Sequence, residues 1–112
     1  MKNRAVKSLL LALACVLPTA SLSASAFTGK EVMEVFSYSE RSLYVAGLID
    51  MAAYDQAVLG DTDRADCIVD WFYSDDQGAS TLSRIEQAAT NFPDEHLDRI
   101  VTALIRRACP AE

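Results

Sequence analysis

The chain has 112 residues, of which 51% are hydrophobic and 23% charged, and its formal net charge is −6. This composition is too apolar for a disordered chain and the length too short for two hydrophobic cores, so one small domain is predicted. The excess of acidic residues argues against nucleic acid and anionic membrane surfaces as partners, because both require clustered cations.

The first 26 residues have the pattern of a secretory signal peptide. Three basic residues before position 8 precede an apolar run over 9–17, and an Ala-x-Ala cleavage site ends at Ala26. The apolar run is about half of the ~20 residues that cross a bilayer, so no membrane span is expected. Cleavage near Ala26 predicts a periplasmic domain of residues 27–112. It has seven basic and sixteen acidic residues, a net charge of −9.

Two helices are predicted in the first half of this domain. Residues 28–31 have the S/T-x-x-E form of a capping box, and apolar residues at helical spacing extend a short helix to about Ser37. Ser39 is expected to cap a longer amphipathic helix, whose apolar stripe ends at Leu59. The turn-forming residues 60–63 then end this helix.

The second half contains one ambiguous segment and two predicted helices. Residues 67–73 are rich in residues that favour strands, but the segment is too short and uncapped to assign. Ser80 is expected to cap a third helix that ends at Pro93. Pro93 is expected to open a fourth helix, because proline is tolerated in a first turn. A continuous apolar stripe from Leu97 to Ala108 makes this last helix the clearest element.

The cysteines indicate one structural disulfide. Cys15 lies in the apolar run of the leader; a lipoprotein anchor there is the alternative, but the usual leucine three positions before the cysteine is absent. Cys67 and Cys109 remain as a pair in an exported chain, where oxidising conditions favour a bridge over two unlinked thiols. The bridge would close a loop of about 43 residues and contribute about 4 kcal/mol. The predicted fold is therefore all-α, a small bundle of about four helices stapled by one disulfide.

No residue set for catalysis or cofactor binding is recognisable. His96, the single histidine, is expected to face water in the first turn of a helix. The four glycines form no phosphate-binding pattern, and the acids over 61–66 lack the order of a calcium-binding loop. We therefore predict no enzyme, no metal site and no cofactor.

An acidic aromatic segment, residues 70–77, is the candidate interaction site. Three consecutive aromatic residues cannot all enter one small core, and acidic residues surround them. Aromatic anchors inside a charged rim are typical of interfaces, here with a basic partner. The candidate partner-binding residues are Asp70, Trp71, Tyr73, Asp75 and Asp76. The alternative is that Trp71 or Phe72 fills the core and Tyr73 half-covers it.

Several short motifs also follow one another in a distinctive order. They are residues 31–35 (EVMEV), residues 43–50 (LYVAGLID), Cys67, a helix beginning near Leu82, residues 91–95 (NFPDE) and residues 108–110 (ACP). This order resembles the Rap/Tai family of immunity proteins, which neutralise type VI secretion amidase effectors in the periplasm. The resemblance covers nearly the whole mature chain, and its most specific part is Tyr44-Val45-Ala46-Gly47 combined with the cysteine spacing and the helix break at Pro93.

The resemblance implies a small helical protein that binds a peptidoglycan-cleaving amidase and blocks its active-site cleft, and it allows a homodimer. Members of the family often carry a second cysteine pair, one in the first helix and one opening the second. Phe36 and Arg41 occupy those two positions here.

A second hypothesis belongs to another functional class, a periplasmic acid-stress chaperone of the HdeA type. Such chaperones are also short, exported and helical, with one disulfide, and acid exposes their apolar surface to clients. The late cysteines and the predominance of arginine over lysine depart from that pattern. A structural subunit of an envelope assembly is a third option.

Overall fold

A computed structural model describes residues 26–74 and 78–111, and these residues form five helices. They are α1 (Gly29–Val35), α2 (Tyr38–Val58), α3 (Thr62–Tyr73), α4 (Gly78–Asn91) and α5 (Leu97–Ala108). The all-α prediction is confirmed, with one more helix than the four expected. The signal peptide prediction lies outside the described residues, apart from Ala26. Within the described ranges, no helix is long and apolar enough to cross a membrane.

Capping boxes start the first two helices. At α1, the Thr28 hydroxyl accepts a hydrogen bond from the Glu31 N–H (3.2 Å), and the Glu31 carboxylate accepts one from the Thr28 N–H (3.4 Å). A second box joins Ser37 and Glu40 in the same way. The backbone N–H of Ser37 and, to a lesser extent, its hydroxyl donate hydrogen bonds to the charged carboxylate of Glu40, which holds the pKa of Glu40 below its usual value. The prediction that Ser39 caps α2 was wrong, because Ser37 does so two residues earlier.

The segment that sequence patterns left ambiguous, residues 67–73, belongs to helix α3. The Asp61 carboxylate accepts a hydrogen bond from the Arg64 N–H (3.0 Å) and so caps the helix. Gly60, with φ at +89°, makes the turn that places α3 beside α2. Residues 62 and 63, predicted to lie in a turn, are therefore the first residues of α3. The Asp61 cap favours the helix more than residues 67–73 favour a strand.

Two other details differ from the sequence predictions. Helix α4 begins at Gly78, so Ser80 lies inside its first turn and does not cap it. The next residue, Thr81, is buried and its hydroxyl donates to the carbonyl of Trp71 (3.0 Å), which ties this turn to α3. Leu59 follows the last residue of α2 and is exposed, so it does not continue the buried stripe.

Pro93 does not open the last helix. Its carbonyl and that of Glu95 accept hydrogen bonds from the backbone N–H groups of Lys30 and Gly29, at 3.0 and 2.8 Å. These bonds hold the connection between α4 and α5 against the start of α1, so α5 begins only at Leu97. A long-range backbone interaction thus overrides the preference of proline for a first helical turn.

The hydrophobic core receives side chains from all five helices. Its buried members are Val32, Val45, Ile49, Ala53, Ala65, Ile68, Phe72, Leu82, Ile85, Ala89, Leu97, Ile100, Val101, Ile105 and Cys109. The predicted stripe of α5 supplies four of its six expected residues to this set, with Leu104 partly buried beside it.

Two links besides apolar packing connect distant parts of the chain. The predicted disulfide joins Cys67 in α3 to Cys109 after α5, with Cα atoms 5.9 Å apart. The Nε atom of Arg41 in α2 forms an ion pair with Glu86 in α4 (2.9 Å), and its Nη1 atom donates a hydrogen bond to the carbonyl of Phe36 (2.8 Å). The same arginine therefore ties α2 to the end of α1 and to α4.

Breaking the disulfide should destabilise the domain strongly. The two cysteines are 42 positions apart, so the bridge contributes about 4 kcal/mol in the chain-entropy model. We expect the double variant Cys67→Ser/Cys109→Ser, and the reduced wild type, to unfold at a much lower urea concentration. Equal midpoints for oxidised and reduced protein would contradict a stabilising role.

Two glycines provide a matched test of helix packing. A Cβ on Gly29 would lie 2.5 Å from the Ala89 carbonyl oxygen, whereas a Cβ on Gly47 would meet nothing within 4 Å. Gly29→Ala should therefore push α1 away from α4 and cost about 1–3 kcal/mol. Gly47→Ala should stabilise the domain by about 0.5–1 kcal/mol, since alanine favours a helix interior. Urea unfolding monitored by circular dichroism measures the change in stability of each variant. If Gly29→Ala also stabilised the domain, α1 and α4 would be able to move apart without cost, and the predicted clash would be wrong.

Candidate functional site

Helix α2 has two apolar faces. One of them, with Val45, Ile49 and Ala53, is buried in the bundle. The opposite face consists of Leu43, Gly47, Met51, Tyr54 and Val58, and we call it the α2 outer face. Its four side chains larger than glycine are 58–75% exposed. Because an α-helix turns about 100° per residue, steps of four, four, three and four residues place all five in one stripe.

Acidic residues border the α2 outer face. Glu40, Asp50 and Asp55 are exposed on this helix, and each lies three or four residues from a member of the stripe, so it is a neighbour on the helix surface. The single basic residue of α2, Arg41, points instead to Glu86 on α4. The outer face is therefore an apolar strip about 22 Å long, at 1.5 Å per residue, with a negative rim.

Tyr73 extends this surface onto α3. Its hydroxyl donates a hydrogen bond to the Asp50 carboxylate (2.8 Å), and its ring packs edge-on against Phe72. Val69, one helical turn earlier in α3, is also partly exposed. Burial, followed by the hydrogen bond to Asp50, raises the pKa of Tyr73 to about 12. The phenol is therefore neutral over the physiological range and keeps its proton on the Asp50 side.

The other sequence-predicted residues lie elsewhere. Asp70 and Trp71 line a shallow groove with Cys67 and Ala108, between α3 and the end of α5. Trp71 is half-buried against the core, whereas Phe72 is fully inside it. The structure thus brings Asp70 together with Trp71, and Tyr73 together with Asp50, on different sides of α3.

The remaining two candidates, Asp75 and Asp76, lie outside the described residues. The burial of Phe72 and the partial exposure of Tyr73 match the packing alternative for this segment.

Sequence reasoning missed the α2 outer face. The spacing of Leu43, Met51, Tyr54 and Val58 is visible in the sequence, but the predicted helix has only one apolar stripe. The pairing of Tyr73 with Asp50 spans 23 positions, so no local pattern indicates it.

The described residues show no arrangement built for metal binding: no group of three or more histidine, cysteine or acidic residues is placed to hold an ion. His96 is exposed and its Nδ1 atom lies 3.2 Å from the carbonyl oxygen of Ala26. It immediately precedes α5 but makes no side-chain cap. The surface best suited to an interaction is therefore the α2 outer face with Tyr73.

No protein-family model, curated protein or solved structure matches the chain. The geometry and chemistry of the site therefore carry the functional interpretation, together with the sequence motifs.

The raised pKa of Tyr73 predicts a pH-dependent contribution to stability. The bond to Asp50 needs the neutral phenol, so it stabilises the fold below the unfolded tyrosine pKa of about 10 and is lost as the pH rises through about 12. The urea midpoint of wild type should exceed that of Tyr73→Phe below pH 10, and the difference should vanish near pH 12. Tyr54→Phe, on the exposed α2 outer face, is the matched control. A difference that stays constant across this range would contradict the assignment.

Proposed function

We propose that the protein is an exported immunity protein that binds and blocks a basic peptidoglycan amidase effector of a type VI secretion system in the periplasm. The observation that carries the proposal is the α2 outer face, an exposed apolar strip with an acidic rim on the longest helix of the bundle. Monomeric soluble proteins expose large contiguous apolar patches mainly where they bind other molecules.

The composition of this surface fits a protein partner. Tyrosine and methionine are enriched at the centres of interfaces, and here Tyr54 and Met51 lie in the middle of the strip with Tyr73 beside it. A stable interface covers about 800 Å² on each partner, which requires more than one helix face. Val69 and Tyr73 of α3 supply the adjoining area.

The negative charge of the rim favours a basic partner. Glu40, Asp50 and Asp55 border the strip, and the domain from residue 27 onward has a net charge of −9. A second copy of the chain would bring the same acids against one another, whereas a basic enzyme would be attracted and oriented. Charge therefore favours a basic hydrolase over a homodimer through this face.

The resemblance to the Rap/Tai family gains support from one contact. Positions 36 and 41, which often hold a second disulfide in that family, are adjacent here, since Arg41 donates to the Phe36 carbonyl at 2.8 Å. That hydrogen bond links the two helices that the missing bridge would link, and the ion pair to Glu86 ties α2 to α4 as well.

Inhibition by this protein would require only occlusion of the amidase cleft. A helix fixed by a capping box, an ion pair and the core loses little conformational freedom when it binds, so less of the interaction energy is spent on ordering. The protein would then block the cleft sterically, without a chemical reaction of its own side chains.

The test uses purified type VI amidase effectors and the mature protein, with peptidoglycan hydrolysis and binding affinity as readouts. Wild type should inhibit its cognate effector. Met51→Lys and Tyr54→Lys should each weaken binding by at least about 30-fold, since each removes a central apolar contact and places a cation against a basic partner. Val35→Lys, on an equally exposed apolar residue of α1, is the matched control and should bind like wild type.

The same assay decides between surfaces and between functions. If Asp70→Lys or Trp71→Ala abolishes inhibition while the α2 variants inhibit normally, the acidic groove of α3 is the interface and the α2 assignment is wrong. If no effector is inhibited and the protein unfolds near pH 2 to suppress client aggregation, it is an acid-stress chaperone. Retention of its helical circular dichroism at that pH would exclude the chaperone.

A further inference from the structure

A groove between α4 and α5 has the opposite charge to the rest of the surface. Arg84 of α4 and Arg99 and Arg107 of α5 line it, with Glu95 as the one acid in its wall. The domain from residue 27 onward has only seven basic residues, so three of them converge on this groove.

Two of these arginines have no carboxylate partner within the described residues. The ion pairs there join Arg41 to Glu86 and, at 3.5 Å on the surface, Arg99 to Glu95. Arg84 and Arg107 take part in neither of these ion pairs, and both line the groove.

The floor of the groove is apolar. Ala88, Ile100 and Leu104 form it, and the ring of Phe92 stands at one end with 62% of its surface exposed. The volume of this open groove is about 490 Å³. Exposed phenylalanine and arginine together have the composition of an interaction hot spot.

The connectivity orders the charges along the groove. Residues 92–96 connect α4 to α5. Phe92 and Arg99 lie near this connection, whereas Arg84 and Arg107 lie eight residues further from it along α4 and α5, so the charges are spread along the groove. From Arg99 to Arg107 the axial distance is about 12 Å, slightly more than two helical turns.

We propose that this groove binds an acidic amphipathic helix of a partner protein, by a surface separate from the α2 outer face. A helix placed between α4 and α5 would lay its apolar side on Ala88, Ile100 and Leu104 and its carboxylates against the arginines on both rims. Arginine favours this pairing because its planar fork donates two hydrogen bonds to one carboxylate. An open trough bordered by two helices suits a third helix, as in other helix-in-groove complexes.

The test measures binding of a fluorescein-labelled synthetic peptide to the mature protein by fluorescence anisotropy. The peptide has about 18 residues, long enough for partial helicity, with leucine on one face, alanine between and glutamate on the flanks. Its twin carries lysine in place of glutamate. The glutamate peptide should bind, and its affinity should fall as the salt concentration rises.

Substitutions test whether the glutamate peptide binds in the groove between α4 and α5. Arg84→Glu and Arg107→Glu should each weaken the glutamate peptide by at least about tenfold, because each replaces a charge-assisted hydrogen bond with repulsion. Arg106→Glu is the matched control: this neighbouring residue lines a different pocket, with Asp55 and Gln56, and the change in net charge is identical. It should alter the affinity less than about twofold. Inhibition of the amidase effector should be unchanged in Arg84→Glu and Arg107→Glu, which separates this proposal from the proposed function.

Three results would overturn the proposal. One is no binding of the glutamate peptide at millimolar concentration. Another is an equal loss for Arg106→Glu and Arg107→Glu, which would indicate non-specific charge attraction. The third is tight binding of dodecanoate that depends on Arg107 while the peptide fails to bind, which would assign the groove to small anionic amphiphiles.

Discussion

The bridge between Cys67 and Cys109 is the constraint on which the arrangement of the bundle depends. It fixes the end of α5 to α3, and the Arg64 side chain strengthens this junction by donating to the Cys109 carbonyl (3.0 Å). The other end of α5 is held by backbone hydrogen bonds between the connection after α4 and residues 27–30. Helix α5 is thus anchored at both ends, which matters because so small a core contributes little net stability by itself. With α5 in place, α2 can bury one face completely and leave the other exposed.

Folding does not require the α2 outer face to be apolar. Exposed leucine, methionine, tyrosine and valine promote association, and folding alone would be served by polar residues at these positions. The helix is nevertheless rigid, since the Ser37–Glu40 box fixes its start and Arg41 ties it to Glu86. A rigid helix with an exposed apolar strip agrees with the proposed binding role, and the acidic border disfavours contacts with other acidic surfaces.

Much of the fold was predictable from short-range signals. The capping box at Thr28, the stripe of α5 and the cysteine pair all depend on spacing or on residue type, and all three are present. The errors arose where distant residues decide. Pro93 stays outside α5 because its carbonyl bonds to α1, and the helical state of residues 67–73 depends on the Asp61 cap and on packing against α2. The candidate site was predictable only in part, since Tyr73 is exposed as expected but its partner Asp50 is 23 positions away.

The two surfaces separate charge within one small domain. Acids border the strip on α2, and Asp63, Asp66 and Asp70 line the shallow groove on another side of α3. Three arginines, Arg84, Arg99 and Arg107, line the groove between α4 and α5. At physiological ionic strength, charges more than about 8 Å apart are largely screened, so the local sign of each surface matters more for a partner than the net charge of −9 of residues 27–112. The two proposals, a basic enzyme on α2 and an acidic helix between α4 and α5, are therefore compatible with one acidic chain. Because different helices supply the two sites, the loss of one charge cluster leaves the other intact, and occupancy of both would place a basic and an acidic partner on one rigid scaffold.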